Sequence, residues 1–153
     1  MKTTIRKAYI SDVPKIQELI GYFAKKDLML SRSLMDLYEN IRDYFVAISG
    51  KKIIGCCALH ICWENLAEVK ALAVDENMHG KGIGDRLVKE ALKEAKKLKI
   101  KKVFCLTYVP KFFTKRGFKN IDRKLLPHKI WTECLQCAKF PNCDEQAMML
   151  KIK

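Results

Sequence analysis

The stretch "VKALAVDENMHGKGIGDRL", residues 69–87, decides the reading of this chain. An apolar run ending at Val74 has the length and composition of a nearly buried strand. After five intervening residues, Gly80, Gly82 and Gly84 stand at every second position. From Ile83 the apolar residues Leu87, Val88, Ala91, Leu92, Ala95 and Leu98 recur at the spacing of one helix face. A strand handing over to a long helix through glycines is a way to bind phosphate. The first turn of a helix has unpaired N–H groups and a partial positive charge. Glycines let an anion approach them closely. A P-loop needs Ser or Thr after its Gly-Lys, and Lys81 is followed by Gly82. A dinucleotide fingerprint needs G-x-G-x-x-G, and this spacing is one residue shorter. Taken alone, the glycines are equally compatible with a helix start that binds nothing.

Working outward, "TTIRKA" reads as a first strand. Ser11 or Asp12 is placed to cap a helix carrying Pro14 in its first turn and Ile16, Leu19, Ile20 and Phe23 on one face. Ser33 is placed to cap a second helix through Leu34, Leu37, Tyr38 and Ile41. "DYFVAISGKKIIGCCALHIC" reads as a hairpin turning at "SGKK", and "LAEVKALAV" as the next strand. "VFCLTY" is a further strand, "KFFTKR" a short helix stopping at Gly117, "FKNI" a strand and "AMMLKI" a closing strand. "LPHKIW" and "AKFPNC" read as loops. The fold class is α/β, a mixed sheet flanked by helices. With 153 residues and no dividing linker, one domain over 1–153 is expected, its core at about 3–122 and a cysteine-containing tail at 123–153.

Composition narrows the function. No apolar run is long enough to span a bilayer, and the N-terminus lacks the apolar core of a secretory signal, so a cytoplasmic protein is expected. The net charge of +13 suits solubility or a polyanionic ligand. Nucleic acid is not the expected partner, because no aromatic residues interleave with the lysines of "KEALKEAKKLKIKK". The seven cysteines are an odd number without an export signal, which argues against a disulfide framework. Cys56, Cys57, Cys62 and Cys105 sit in apolar runs and are expected to be small buried hydrophobes. Cys134 and Cys137 at C-x-x-C spacing, with Cys143 and His128, have a donor set suited to zinc. With a single C-x-x-C pair, the expected state is a reduced loop packed by Trp131 and Phe140, without metal. A reversible Cys134–Cys137 bond would make that loop a redox sensor.

Taken together, "LAEVKALAV", "HGKGIGDRL", "FCLTY" and "FFTKRGF" resemble the GNAT superfamily of acetyl-CoA-dependent N-acetyltransferases. The resemblance implies that family's mostly antiparallel twisted sheet, splayed at its central parallel strands. The family's pyrophosphate loop, Gln/Arg-x-x-Gly-x-Gly/Ala, falls on His79, Gly80, Lys81, Gly82, Ile83 and Gly84, with His79 in place of Gln or Arg. Leu72, Ala73 and Val74 would hold the pantetheine arm. Lys81, Gly82, Gly84 and Asp85 would offer backbone N–H groups, with Arg86 and nearby lysines offsetting the Asp85 charge. Glu68 matches the strand position where many members carry a catalytic glutamate that acts directly or through a water; Glu64 is the reserve. Phe113 stands where many members have a tyrosine acid, which leaves Tyr108 or solvent as proton donor.

Across "LMLSRS", "IIGCCALHI", "LTYVPKFFTKRGF", "LPHKIW" and "PNCDEQAM" the chain is most similar to the short amino-acid N-acetyltransferases that acetylate L-glutamate for arginine biosynthesis. Glutamate carries two carboxylates, which need fixed cations. Arg32 is the expected main anchor. Lys70, two residues after Glu68 and so on the same strand face, is expected to serve the second carboxylate. Ser33, Thr107, His128 and Lys129 are further candidates. The competing readings are a GNAT enzyme for another small amine or a protein N-terminus, and a non-catalytic binding module. A homodimer is common in the superfamily.

Overall fold

The computed structural model describes residues 2–126 and 145–152. Strand β1 is Thr3–Lys7, followed by a 3-10 turn at Ile10–Asp12, helix α1 at Val13–Ala24 and helix α2 at Leu34–Glu39. A second 3-10 turn, Ile41–Asp43, leads into β2 (Tyr44–Ser49), β3 (Lys52–Trp63) and β4 (Leu66–Val74). Then come a 3-10 turn at Glu76–Met78, α3 (Ile83–Lys97), β5 (Lys102–Thr107), α4 (Pro110–Thr114), β6 (Lys119–Asn120), a 3-10 turn at Arg123–Leu125 and β7 (Gln146–Lys151). The result is a mixed seven-stranded α/β sheet in the order β1-β2-β3-β4-β5-β7-β6. No described helix is long and apolar enough to cross a membrane.

The chain splits into two compact units, Met1–His60 with Val69–Glu94, and Ile61–Glu68 with Ala95–Lys153. In the first, β1 pairs antiparallel with β2, and β2 with β3. The hairpin turns at Gly50 and Lys51, as the "SGKK" stretch predicts. Val13, Ile16, Ile20 and Phe23 of α1 pack with Leu37, Ile41, Tyr44, Val46, Cys56, Ala58, Ala71 and Ala73. Full burial of side chains of this size contributes about 1.5–3 kcal/mol each. On α3, Leu87, Val88, Ala91 and Ala95 are buried. Gly55 on β3 admits close approach there, since an added Cβ would lie 3.1 Å from Leu87 Cδ1 and 3.3 Å from the Ala73 carbonyl.

In the second unit, β4 and β5 run parallel, but the ladder extends only from Leu66 opposite Lys102 to Glu68 opposite Phe104. β5 then pairs antiparallel with β7, and β7 with β6. Leu66, Phe104 and Leu126 form a core joined by Cys62, Leu106, Ile121 and Met149. Asn65, in the turn before β4, accepts the Lys101 N–H at 2.9 Å and so ties that turn to the start of β5.

Two local expectations are corrected. The Asp12 side chain does not cap α1. It takes a two-pronged bond from Arg6, at 2.7 and 3.1 Å, and accepts the Tyr9 N–H at 2.7 Å. A guanidinium fork outcompetes a first-turn N–H for a carboxylate. Leu98 does not extend the buried stripe of α3: the helix ends at Lys97 and Leu98 is 54% exposed. Ser33 does cap α2, accepting the Asp36 N–H at 3.0 Å.

Candidate functional site

Gly80 and Gly82 adopt φ of 80° and 77°, in the left-handed region that a Cβ disfavours. No heavy atom lies within 4 Å of a Cβ built on either, so backbone shape and not crowding selects glycine there. Gly84 lies within α3 and has no positive φ. The three glycines therefore serve two purposes, which their equal spacing conceals.

His79 straps this loop to the end of β4. Its Nε2–H donates to the Val74 carbonyl at 2.7 Å, and its ring stacks on Phe23 with centroids 6.1 Å apart. The substitution for Gln or Arg therefore supplies a side chain that fixes the entry to the loop. Asp85, in the first turn of α3, pairs with Lys89 at 3.1 Å. Lys89 thus offsets its charge, whereas Arg86 donates to the Thr3 carbonyl at 3.0 Å. Lys81 is exposed, with Nζ 4.0 Å from Met78 Sδ.

Leu72, Ala73 and Val74 form the end of β4, just after an irregularity. Ala71 has φ of 54°, uncommon for a residue with a Cβ. Its carbonyl accepts from the Cys56 thiol at 3.4 Å. Cys56 is fully buried, and burial pushes its thiol up to about 12. That cysteine is more than the small hydrophobe expected from its apolar surroundings, because it satisfies the carbonyl of this positive-φ residue.

Arg32 lies just before α2, its carbonyl accepting from Gln17 Nε2 on α1 at 3.2 Å. Its guanidinium is 3.7 Å from Asp36, and its buried Nε has no hydrogen-bond partner among the described residues. The charges of Arg32, Asp36 and Asp43 all act on the Tyr44 hydroxyl, whose pKa burial drives well above its ordinary value. Asp43 in turn accepts from His60 Nδ1 at 2.7 Å. No sequence motif marks this Asp43–His60 pair, and His60 is a functional candidate that sequence reasoning missed. A histidine at the end of a "CCALH" strand carries no spacing signal toward an aspartate 17 residues earlier. Lys70 is half-buried on β4. Ser33 commits its oxygen to the cap of α2, which leaves its O–H to offer.

In the second unit, Glu68 is buried where the parallel ladder ends. Burial raises the Cys105 thiol well above its usual range, and the charges of Glu68 and Glu145 add to the effect. Thr107 is buried, and its Oγ1 accepts the Val109 N–H at 2.8 Å, shaping the turn into α4. Tyr108 follows in that bend, half-buried. Phe113 packs edge-on against Phe118 with centroids 5.2 Å apart and offers no proton. Arg116 donates to the Phe112 carbonyl at 2.6 Å and lies 3.7 Å over its ring. Among the described residues, no group of three or more His, Cys, Asp or Glu is placed to hold a metal ion. His128, Lys129, Cys134, Cys137 and Cys143 lie outside the described residues.

Comparison with known proteins agrees with the loop geometry. The chain is 39% identical over 147 residues to an uncharacterized N-acetyltransferase of Chlorobaculum tepidum, covering 96% of this chain and 95% of that one. It is 36% identical to an amino-acid acetyltransferase of Mycobacterium tuberculosis, covering 86% of this chain and 77% of that one. A Mycobacterium tuberculosis structure in complex with CoA superimposes with a TM-score of 0.86 at 31% identity, covering 98% of this chain and 99% of that one. Residues 10–118 match the acetyltransferase (GNAT) family, and the chain belongs to that family.

Proposed function

We propose that the protein transfers the acetyl group of acetyl-CoA to the α-amine of L-glutamate, giving N-acetylglutamate and CoA, as in the first step of arginine biosynthesis. The observation that carries the acceptor is Arg32: a largely buried cation, 3.7 Å from its aspartate and with an unbonded Nε, keeps capacity for a bidentate carboxylate. The amino-acid acetyltransferase among the relatives supports the same class of acceptor, and the CoA-bound neighbour supports the donor.

The pyrophosphate would rest on the N–H groups of Lys81 to Asp85, where Gly80 and Gly82 shape the backbone and the helix dipole of α3 favours the anion. Leu72 to Val74 would align the pantetheine arm. A backbone N–H beside Ala71 would be the donor for the tetrahedral oxyanion, a contribution of about 10²–10³ in rate for a single well-aimed donor. An ammonium is no nucleophile, so Glu68 would act as proton acceptor, directly or through a water. Lys70 would meet the second carboxylate. Tyr108 or solvent would protonate the departing thiolate.

The test is a panel of acceptors with acetyl-CoA: free amino acids, polyamines and peptides with free N-termini. Fastest turnover with L-glutamate is expected, and turnover confined to polyamines or peptides would refute the reading. Arg32→Ala is expected to raise KM for glutamate far more than for acetyl-CoA; equal small effects would remove Arg32 as the anchor.

A further inference from the structure

The loop proposed to carry the pyrophosphate of acetyl-CoA, on which this inference rests, is bordered by three carboxylates. Asp75 caps and Glu76 opens the 3-10 turn before it, and Asp85 follows it in the first turn of α3. Carboxylates so placed repel an anion, yet each has a lysine brought from outside the loop. Lys26, just past the end of α1, donates to Glu76 Oε1 at 2.6 Å. Lys52, the first residue of β3, lies 3.8 Å from Asp75, and Lys89, one turn along α3, lies 3.1 Å from Asp85. All six residues belong to one compact unit. Lys26 is held in place by more than its carboxylate: Nζ donates to the Tyr22 hydroxyl at 2.9 Å and stands 4.4 Å over that ring. Its bond keeps the Glu76 carboxyl below its ordinary range, so Glu76 is ionised at neutral pH and needs a counter-charge. The Lys26 and Glu76 side chains are 44% and 45% exposed, and a pair so exposed contributes little to folding. What it changes is the charge that an incoming anion meets.

We propose that Lys26, Lys52 and Lys89 are positioning residues for the cosubstrate: they neutralise the carboxylates at both ends of the loop and leave its N–H groups and Lys81 to meet the pyrophosphate. The loop's own sequence makes this necessary. From Asp75 to Asp85 the chain holds three carboxylates against one lysine, Lys81, and one histidine, His79. By itself that stretch opposes the partial positive charge of the α3 N-terminus. With the three outside lysines the balance becomes four positive charges against three negative ones. A unit charge left uncompensated about 10 Å from a phosphate weakens binding by about 2–15-fold, between the dielectric of water and that of a protein surface.

The test measures the Kd of CoA by calorimetry at low ionic strength for Lys26→Met, Glu76→Gln and the double variant. Lys26→Met bares the Glu76 charge and is expected to raise Kd by about 2–15-fold, with kcat at saturating acetyl-CoA unchanged. Glu76→Gln should hold or lower Kd. The double variant removes both charges and should return to within about twofold of wild type, a rescue that lost packing would not give. The Lys26→Met deficit should vanish at about 1 M salt, where the Debye length is about 3 Å. Lys15→Met, which breaks the Lys15–Glu18 pair on α1, is the control and should leave Kd unchanged. A wild-type Kd for Lys26→Met, a deficit that persists at high salt, or a double variant as weak as Lys26→Met overturns the proposal. If Lys26→Met fails to fold, Lys52→Met with Asp75→Asn completes the same cycle on the second pair, and absence of rescue there overturns it equally. Gly82→Ala weakening CoA while the lysine variants do not would refute this inference alone; a wild type that binds no CoA would refute the loop reading as well.

Discussion

Replacing Gly82 by alanine isolates the backbone requirement of the loop before α3. Gly82 is exposed at φ 77°, and no heavy atom lies within 4 Å of a Cβ built there. The added methyl meets nothing, so the whole effect is conformational, about 1–2 kcal/mol for a left-handed non-glycine residue. Two responses are open to the molecule. If the loop keeps its shape, the strain lowers stability, and about 1–2 kcal/mol corresponds to a Tm fall of about 2–8 °C for a chain of this size. If Gly82 rotates instead, the neighbouring N–H groups turn away from the pyrophosphate proposed to rest on them. The same energy then appears as a rise of about 5–30-fold in KM for acetyl-CoA. Gly84→Ala is the control, because Gly84 lies in the helix without positive φ, where alanine gains about 0.8–1 kcal/mol of helix propensity. Thermal melts and acetyl-CoA titrations at saturating acceptor read both outcomes. A Gly82→Ala protein with wild-type Tm and KM, or a Gly84→Ala protein damaged as badly, would refute the reasoning.

Three further outcomes are expected. Glu68→Gln should lower kcat and alter its pH dependence; an unchanged pH–rate profile would remove Glu68 as a proton acceptor. The Arg6 fork, helped by the Tyr9 N–H, holds the Asp12 carboxyl below its ordinary range. Its stabilisation is therefore present above the unfolded value and lost as pH falls through the lower native value. Asp12→Asn should cost about 1–2 kcal/mol at pH ~7, a charged-bond magnitude discounted because Arg6 is one-third exposed. Urea midpoints for variant and wild type should converge in acid below the native value, and a gap that persists there would assign the effect to packing. Among Cys56, Cys57, Cys62 and Cys105, Cys62 should label first with a thiol reagent, since the other three are buried. Peptide mapping that finds Cys56 or Cys105 labelled ahead of it would contradict their raised thiols.

The elements of this fold are legible where a short-range rule acts alone. The α1 face at Ile16, Ile20 and Phe23, the Ser33 cap and the "SGKK" turn each depend on residues within about one or two helical turns or one hairpin. Leu98 misleads because periodicity sets which face a residue would take but not where the helix stops. Asp12 misleads because its partner Arg6 is on the preceding strand, and a local capping rule does not include it.

The order of apolar and polar residues determined, by itself, the alternation of strands and helices and the place of the glycine loop at the start of α3, and the glycine spacing excluded a P-loop and a dinucleotide fingerprint. Those properties follow from backbone geometry and side-chain period, which are written into neighbouring residues. Tertiary structure decided the rest. It separated Gly80 and Gly82, held at positive φ, from Gly84, which merely continues a helix. It turned Cys56 into a donor for the Ala71 carbonyl, and it drew Asp43 and His60 to 2.7 Å across the β2–β3 register. Bonds of that kind join residues whose separation along the chain has no period, so only the packed sheet brings them together.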